Sequence, residues 1–347
     1  MRTTQLKRIG VVVSDLDQAV ASYGKIYGIQ SWQFADAAPA DATSHGRRTL
    51  RTPGTWRSAL GTTLPQEDAP GPFGNPAQSV TFELIQPTGG ETPFNEQLLS
   101  KGEGITFIQV AAEGGDPAEH FAQLGITAAY SASIGGQCRT WWDTRKQLGG
   151  FYVEMVPVDA PAAEPAPADT ALLPAQGIYH FGVLVDDVME VLPHYRDIFG
   201  LESFDMKTWE SGEGRLDAPQ YRGNTDPVGY FTAQAHAQDF GFEIISMKYG
   251  SCHYNREFLD HRGPGIHHIF AWMTTQEQQW EELTSAMTAA GYPVVMGSPL
   301  RAGAAEFGYF DTFDALGGYL VEIVIRRFQG KPEHMSPDWI VDYSEAV

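Results

Sequence analysis

Residues 143–154 read DTRKQLGGFYVE, and residues 311–322 read DTFDALGGYLVE. Both stretches fit the pattern D-T-x-x-x-L-G-G-x-x-V-E, and each lies near the end of one half of the 347-residue chain. A match of this length indicates an internal duplication. Since the chain is also too long for one ordinary hydrophobic core, the duplication predicts two domains of the same fold.

Three further pairs of stretches occur in the same order in both halves. They are Ile9–Leu16 with Phe181–Val188, Phe82–Ile85 with Phe242–Ile245, and Gly104–Ile108 with Gly265–Ile269. Apolar residues at helical spacing, followed by glycines, predict four helices at residues 16–27, 117–124, 188–199 and 276–291. The order strand, helix and three strands thus occurs four times, which predicts an α+β protein of four βαβββ units.

A segment rich in proline and alanine lies between the halves and predicts an extended linker. The predicted division is a first domain at 1–157, the linker at 158–176, a second domain at 177–328 and a tail at 329–347. Residues 35–76 and 209–238, rich in proline and glycine, are expected to be insertions that cover the mouths of the sheets.

Charge and composition narrow the classes of partner. The chain has 43 acidic and 23 basic residues, a formal charge of −20, which opposes binding to nucleic acid or to an anionic membrane. No apolar run is long enough to span a membrane and no leader pattern is visible, so we expect a cytoplasmic protein. The two cysteines, Cys138 and Cys252, are expected to be free thiols.

One basic cluster stands out in this acidic chain. It offers guanidinium groups that could clamp a carboxylate or phosphate, although pairing with surface acids is the plainer interpretation. Its members are His45, Arg47, Arg48, Arg51 and Arg57.

Three strand-like stretches in the second half carry metal-binding side chains. Residues 179–185 contain His180, residues 265–270 contain the pair His267–His268, and residues 318–324 contain Glu322. Two histidines and a carboxylate on separate strands indicate a metal site, because imidazole and carboxylate groups are common ligands of divalent transition metals.

This organisation resembles the vicinal oxygen chelate superfamily, which includes glyoxalase I, methylmalonyl-CoA epimerase, bleomycin-resistance proteins and type I extradiol dioxygenases. The resemblance covers nearly the whole chain outside the linker, the insertions and the tail. It implies that paired βαβββ units form a half-open barrel around one divalent metal, with ligands on the first and last strands. Carried onto this sequence, the implied ligands are His180, Glu243, His268 and Glu322.

The resemblance to the H-H-I/V strand of epimerases and dioxygenases selects His268, the second histidine of the pair. Alternate residues of a strand face opposite sides of a sheet, so we expect His267 to face outward or to cap an adjacent loop.

The first half departs from the pattern of the superfamily. Glu83 and Glu154 occupy the carboxylate positions, but Arg8 and Phe107 stand where the two histidines would be. Because arginine cannot coordinate a metal, we expect an ion pair of Arg8 with Glu83 or Glu154 and a degenerate, structural site.

Three functions remain open on the sequence. The first is a metal-dependent lyase, isomerase or epimerase that chelates a small molecule through adjacent oxygens and moves a proton through an enediolate, with Glu322 or Glu243 as the base. The second is an Fe(II) extradiol-type dioxygenase that uses His180, His268 and Glu322 as a facial triad. The third is a non-catalytic binding or resistance protein. The metal is zinc, nickel, cobalt, manganese or iron, and homo-oligomerisation is left open.

Overall fold

Two ten-stranded sheets form the framework of the protein in the computed structural model. The structure describes residues 1–48, 52–65, 69–160, 171–273, 277–326 and 336–344, with the backbone alone for residues 47, 48, 277, 278 and 326. Most of the predicted linker lies outside these ranges, and the domain boundaries stay a prediction.

The first half supplies one sheet and four helices. Its elements are β1 (Arg2–Val12), α1 (Leu16–Tyr27), β2 (Trp32–Ala37), β3 (Ala42–Ser44), β4 (Arg47–Arg48), β5 (Thr55–Thr62), β6 (Thr81–Gly89), α2 (Pro93–Ser100), β7 (Gly104–Glu113), α3 (Pro117–Gln123), β8 (Ala128–Ile134), β9 (Gln137–Trp142), α4 (Arg145–Leu148) and β10 (Tyr152–Pro157).

The second half follows a similar order, with one short strand in place of β3 and β4, a π-helix and a short α-helix in place of α2, and an additional terminal strand. Its elements are β11 (Ile178–Leu184), α5 (Val188–Phe199), β12 (Ser203–Glu210), β13 (Gln220–Tyr221), β14 (Gly229–His236), β15 (Gly241–Tyr249), the π-helix (Tyr254–Leu259), α6 (Asp260–Arg262), β16 (Gly265–Ala271), α7 (Glu277–Ala289), β17 (Val294–Leu300), β18 (Ala305–Phe310), α8 (Phe313–Leu316), β19 (Leu320–Arg326) and β20 (Trp339–Asp342).

The four βαβββ units are confirmed. In the second sheet the order β17-β18-β19-β16-β11-β15-β14-β12 joins two units through the antiparallel pair β11 and β16, and β1 and β7 join the first two units in the same way. The four predicted helices agree with α1, α3, α5 and α7 within two residues. Asp15 and Asp187 accept hydrogen bonds from the first turns of α1 and α5, as helix-capping aspartates do.

One expectation about the segments outside the units was wrong in part. The presumed insertions at 35–76 and 209–238 contain β5 and β14, which are inner strands of the two sheets. The described part of the tail forms β20, which pairs with β12 at the edge of the second sheet.

Alternate residues of each strand enter different cores. Val11 and Val183 pack on the convex, helix-covered side of their sheets, in one cluster that includes residues of both halves. Val12 and Leu184 face the concave sides, where each half has a separate cluster. This period of two is the expected pattern of a sheet buried on both faces.

The repeated D-T-x-x-x-L-G-G motif forms the contact between the halves. Leu148 and Leu316 are fully buried. The carbonyl of Leu316 accepts a hydrogen bond of 2.9 Å from Tyr23 of the first half, and that of Leu148 accepts one of 2.8 Å from Tyr195 of the second. Two tyrosines on equivalent helices therefore bind the two copies of the motif crosswise.

Both cysteines are free, as expected. Among the described residues, no helix combines the length and apolar character needed to cross a membrane.

Candidate metal centre

His180, Glu243, His268 and Glu322 lie on four adjacent strands at the centre of the second sheet. These strands run in the order β19, β16, β11 and β15. Gly182 pairs with both His268 and Glu243, and Phe270 pairs with both His180 and Glu322, so the register places all four side chains at one level of the concave face.

A β-bulge in β16 orients the pair of histidines. The register between β11 and β16 shifts where Gly182 pairs with His268 but Val183 pairs with Ile266, which leaves His267 without a partner residue. A bulge re-aims side chains and breaks the alternation of a strand. Our expectation that His267 faces outward was wrong: its ring is fully buried, and its Nδ1 lies 3.0 Å from Nδ1 of His268.

The four side chains converge on one point. One ligand-type atom from each lies within 4.8 Å of all the others, and every residue of the set is buried. His180 Nε2 is 2.9 Å from Glu322 Oε2 and 3.5 Å from Glu243 Oε2. His268 Nε2 is 3.2 Å and 3.5 Å from the same two oxygens.

The charges of the set are strongly coupled. Burial opposes protonation of His268, but the carboxylates of Glu322 and Glu243 outweigh burial and raise the pKa of the imidazole to about 9. Burial also opposes ionisation of Glu322, and the two histidines outweigh it and lower the pKa of the carboxyl to about 2. Without a metal, the centre is therefore an imidazolium–carboxylate pair at neutral pH.

The donor set fits a divalent transition metal. His268 Nε2 is buried, makes no hydrogen bond of good geometry with any described residue, and points toward two carboxylates. Two imidazole nitrogens and two carboxylate oxygens suit zinc, nickel, cobalt, manganese or iron(II).

A cavity of about 250 Å³ is lined by His180, Glu243 and Glu322 of this set. Tyr309 and Trp272 line it, and so do Tyr254, Lys207 and Gln234. Gln234 donates a hydrogen bond of 2.9 Å to Oε1 of Glu243. A larger cavity of about 580 Å³ shares Trp272 with it but contains none of the four metal-type residues.

Several of these wall residues carry no signal in the sequence. Tyr254 reaches the cavity from the π-helix, and its hydroxyl lies 2.5 Å from that of Tyr309. Burial raises the pKa values of both phenols well above their usual range, so both stay protonated at neutral pH. Lys207 is 6% exposed on β12, a position that only the sheet register places beside the site.

In the first half, an arginine occupies the place of a metal. Arg139 on β9 binds Glu154 through Nε at 2.8 Å and Glu83 through Nη1 at 2.8 Å, and its Nη2 contacts both carboxylates. The predicted ion pair of Arg8 with Glu83 is confirmed at 2.7 Å. Burial would raise the pKa of Glu83, but the two guanidinium groups lower it to about 2.

The sequence held one clue to Arg139, since Arg8 alone could not neutralise two buried glutamates. The repeat places Phe307, which lines the cavity, at the position of Arg139 in the second half. Phe107 and Trp141 pack under the Arg139 guanidinium and fill the concave side of the first sheet. In the first half, aromatic rings and ion pairs thus surround the two carboxylates, whereas in the second half a cavity reaches them.

The basic cluster is only partly described. Arg57 pairs with Asp17 at 3.3 Å, both partly or largely exposed, which agrees with the plainer interpretation of surface pairing. Arg51 and the side chains of Arg47 and Arg48 lie outside the described residues.

Comparisons with known proteins identify structures with a similar fold. No protein-family model and no curated protein matches the chain. The structure is similar to a triple mutant of 4-hydroxymandelate synthase from Streptomyces coelicolor, with a TM-score of 0.56 and 14% identity over 94% of this chain and 93% of that one.

A fusion of a xylose isomerase-like TIM barrel with 4-hydroxyphenylpyruvate dioxygenase also matches, with a TM-score of 0.48 and 11% identity, over 95% of this chain and 50% of that one. The chain thus shares the α+β fold of 4-hydroxymandelate synthase, with the four βαβββ units in two sheets that the sequence predicts.

Proposed function

We propose that this chain is an enzyme that binds one divalent metal through His180, Glu243, His268 and Glu322 and moves a proton within a small substrate that has two adjacent oxygens. The convergence of four buried nitrogen and oxygen donors within 4.8 Å supports the metal. The presence of Glu243 supports proton transfer, because a fourth protein ligand leaves two of six positions in an octahedral sphere for a chelating substrate.

A bound metal would act as a Lewis acid that polarises both substrate oxygens and stabilises an enediolate. The carboxylates then divide two tasks. Glu322 is hydrogen-bonded to His180 and has a low pKa, which suits a permanent anionic ligand. Glu243 is positioned by Gln234 through Oε1 while Oε2 faces the cluster, which suits a ligand whose Oε2 would release the metal when the substrate binds, accept a proton and return it.

The walls of the cavity would bind and shield the substrate. The phenols of Tyr254 and Tyr309 stay protonated, and the one that accepts in their mutual hydrogen bond can donate its own proton to a substrate oxygen. Aromatic rings such as Trp209 and Phe270 exclude water around the reacting carbon. A small or aromatic organic acid fits a volume of about 250 Å³.

A dioxygenase is the second candidate. The likeness in fold to 4-hydroxymandelate synthase and the availability of His180, His268 and Glu322 as a two-histidine, one-carboxylate triad favour it. In that function Glu243 would not be a metal ligand, because O₂ would need the coordination position that the Glu243 carboxylate faces.

Metal identity and oxygen use separate these candidates. We expect zinc, nickel, cobalt or manganese to support solvent deuterium exchange into 2-hydroxyketones and 2-oxo acids without oxygen uptake, and E243Q to abolish the exchange. Stoichiometric iron with oxygen uptake on catechols or aromatic 2-oxo acids would replace the proposal by the dioxygenase. A bound metal with neither activity would leave a binding protein.

A further inference from the structure

The two histidines of the centre, His180 and His268, differ in the partner of their second ring nitrogen, Nδ1. His180 Nδ1 is buried and has no hydrogen-bond partner among the described residues. His268 Nδ1 lies 3.0 Å from Nδ1 of His267, at the β-bulge. Metal-ligating histidines usually donate their second ring N–H to a fixed partner, which sets the tautomer and the orientation of the ring.

Behind His268, a row of contacts runs through His267 and His253 to Glu257 at the surface. His267 Nε2 lies 2.9 Å from Nδ1 of His253, which directly precedes the π-helix. His253 Nε2 lies 3.3 Å from Oε2 of Glu257, an ion-pair distance outside good hydrogen-bond geometry. The rings of His253, His267 and His268 are fully buried, whereas the Glu257 side chain is 29% exposed.

If His268 binds the metal through Nε2, this fixes which ring nitrogen carries the proton in His268, His267 and His253. His268 then carries its proton on Nδ1 and donates it to Nδ1 of His267. A neutral His267 would have its proton on Nε2 and donate it to Nδ1 of His253, whose own proton would then be on Nε2, 3.3 Å from Oε2 of Glu257. Burial disfavours the charged form of imidazole, and it lowers the pKa of His253 to about 4.

Other contacts hold the outer end of the row in place. Arg222 donates to Glu257 Oε1 through Nε at 2.6 Å and to Oε2 through Nη2 at 2.8 Å, and Tyr221 donates to Oε1 as well. Arg222 has a φ of 46°, a left-handed backbone conformation that is unfavourable in a residue other than glycine. π-Helical turns are also rare, and they occur frequently at functional sites.

We propose that His267, His253 and Glu257 are positioning residues. They form a row from the partly exposed Glu257 to His268, fix the tautomer of His268 and strengthen its bond to the metal. The inference rests on the metal centre proposed above. It assigns a role to three residues that touch neither metal nor substrate, and it implies that the two histidine ligands are unequal.

Zinc affinity of single variants tests the proposal. Competition with a chelator should show Zn²⁺ bound about 10- to 100-fold more weakly by H253F, with a smaller loss in E257Q and partial recovery in H253Q, whose amide can both accept and donate. The matched control is E210Q, since Glu210 is also a partly exposed carboxylate in an ion pair but lies outside the row.

A spectroscopic measurement on the wild-type protein avoids dependence on the folding of variants. Nitrogen-15 NMR of the Zn²⁺-loaded chain should show protons on Nδ1 of His268 and on Nε2 of both His267 and His253. Wild-type Zn²⁺ affinity in H253F and E257Q, or a proton on Nδ1 of His267, would overturn the positioning role of these residues while leaving the metal centre intact. Absence of Zn²⁺ binding in the wild type would overturn the metal centre itself, and the positioning role with it.

Discussion

Among the single residues, His268 makes metal binding at the centre depend on pH. In the metal-free protein the adjacent carboxylates hold its pKa at about 9, so the ring is charged at neutral pH. A metal needs the neutral ring and must displace that proton.

We therefore predict that metal binding at pH 7 releases about one proton, and that the apparent affinity rises about tenfold per pH unit up to about pH 9 and then levels off. Isothermal titration calorimetry in buffers of different ionisation enthalpy measures the proton count. Binding without proton release would show that His268 is neutral before the metal arrives.

The sequence predicts the four central residues through its resemblance to the vicinal oxygen chelate superfamily, and the sheet register brings those four side chains together. It does not predict the orientation of His267, because a β-bulge depends on the pairing of β16 with β11 and not on the local residues. Arg139 was missed for a similar reason: its position on β9 becomes meaningful only when the sheet brings it between Glu83 and Glu154.

At the scale of elements, two glycines make room for the rings that distinguish the two halves. A Cβ at Gly182 would lie 1.8 Å from the His268 ring, and a Cβ at Gly10 would lie 1.9 Å from the Phe107 ring. Each ring thus lies across the neighbouring strand at the same place in its sheet.

Alanine at these glycines should have different effects in the two halves. We predict that G182A displaces His268 and weakens metal binding at least tenfold, since small misplacements of an inner ligand are costly. G10A displaces only Phe107 and should lower stability by about 1–3 kcal/mol through overpacking without changing metal affinity. Metal titration and denaturant unfolding of both variants check this, and an equal loss of metal in both would contradict it.

The helices were predicted closely because each combines an apolar stripe with a capping aspartate or a terminal glycine. The strands β5 and β14 were mistaken for parts of insertions, since their sequences TWRSALGT and GYFTAQAH mix small and polar residues without an apolar run. Their place in the sheet is set by pairing with β6 and β15.

At the scale of the whole molecule, the repeated motif that reveals the duplication also joins its two copies. The hydroxyls of Tyr23 and Tyr195 are buried and reach across to the carbonyls of Leu316 and Leu148. The interface therefore has an approximate two-fold character that matches the repeat in the sequence.

Removing either hydroxyl should weaken this interface by a similar amount. We predict that Y23F and Y195F each lower the free energy of unfolding by about 1 kcal/mol, because each leaves a buried carbonyl without its donor. Y249F is the control, since Tyr249 is 41% exposed. Urea unfolding measures all three, and unchanged stability in both interface variants would show that the crosswise hydrogen bonds contribute nothing.

Only the second half is expected to hold a metal, and the metal content after metal-replete purification measures this difference between the halves. We predict about one divalent ion per chain in the wild type and in R8A, and loss of that ion in H180A and H268A, since Arg8 and His180 occupy equivalent positions in the two sheets. Two ions per chain, no ion in the wild type, or full retention in H268A would contradict the account.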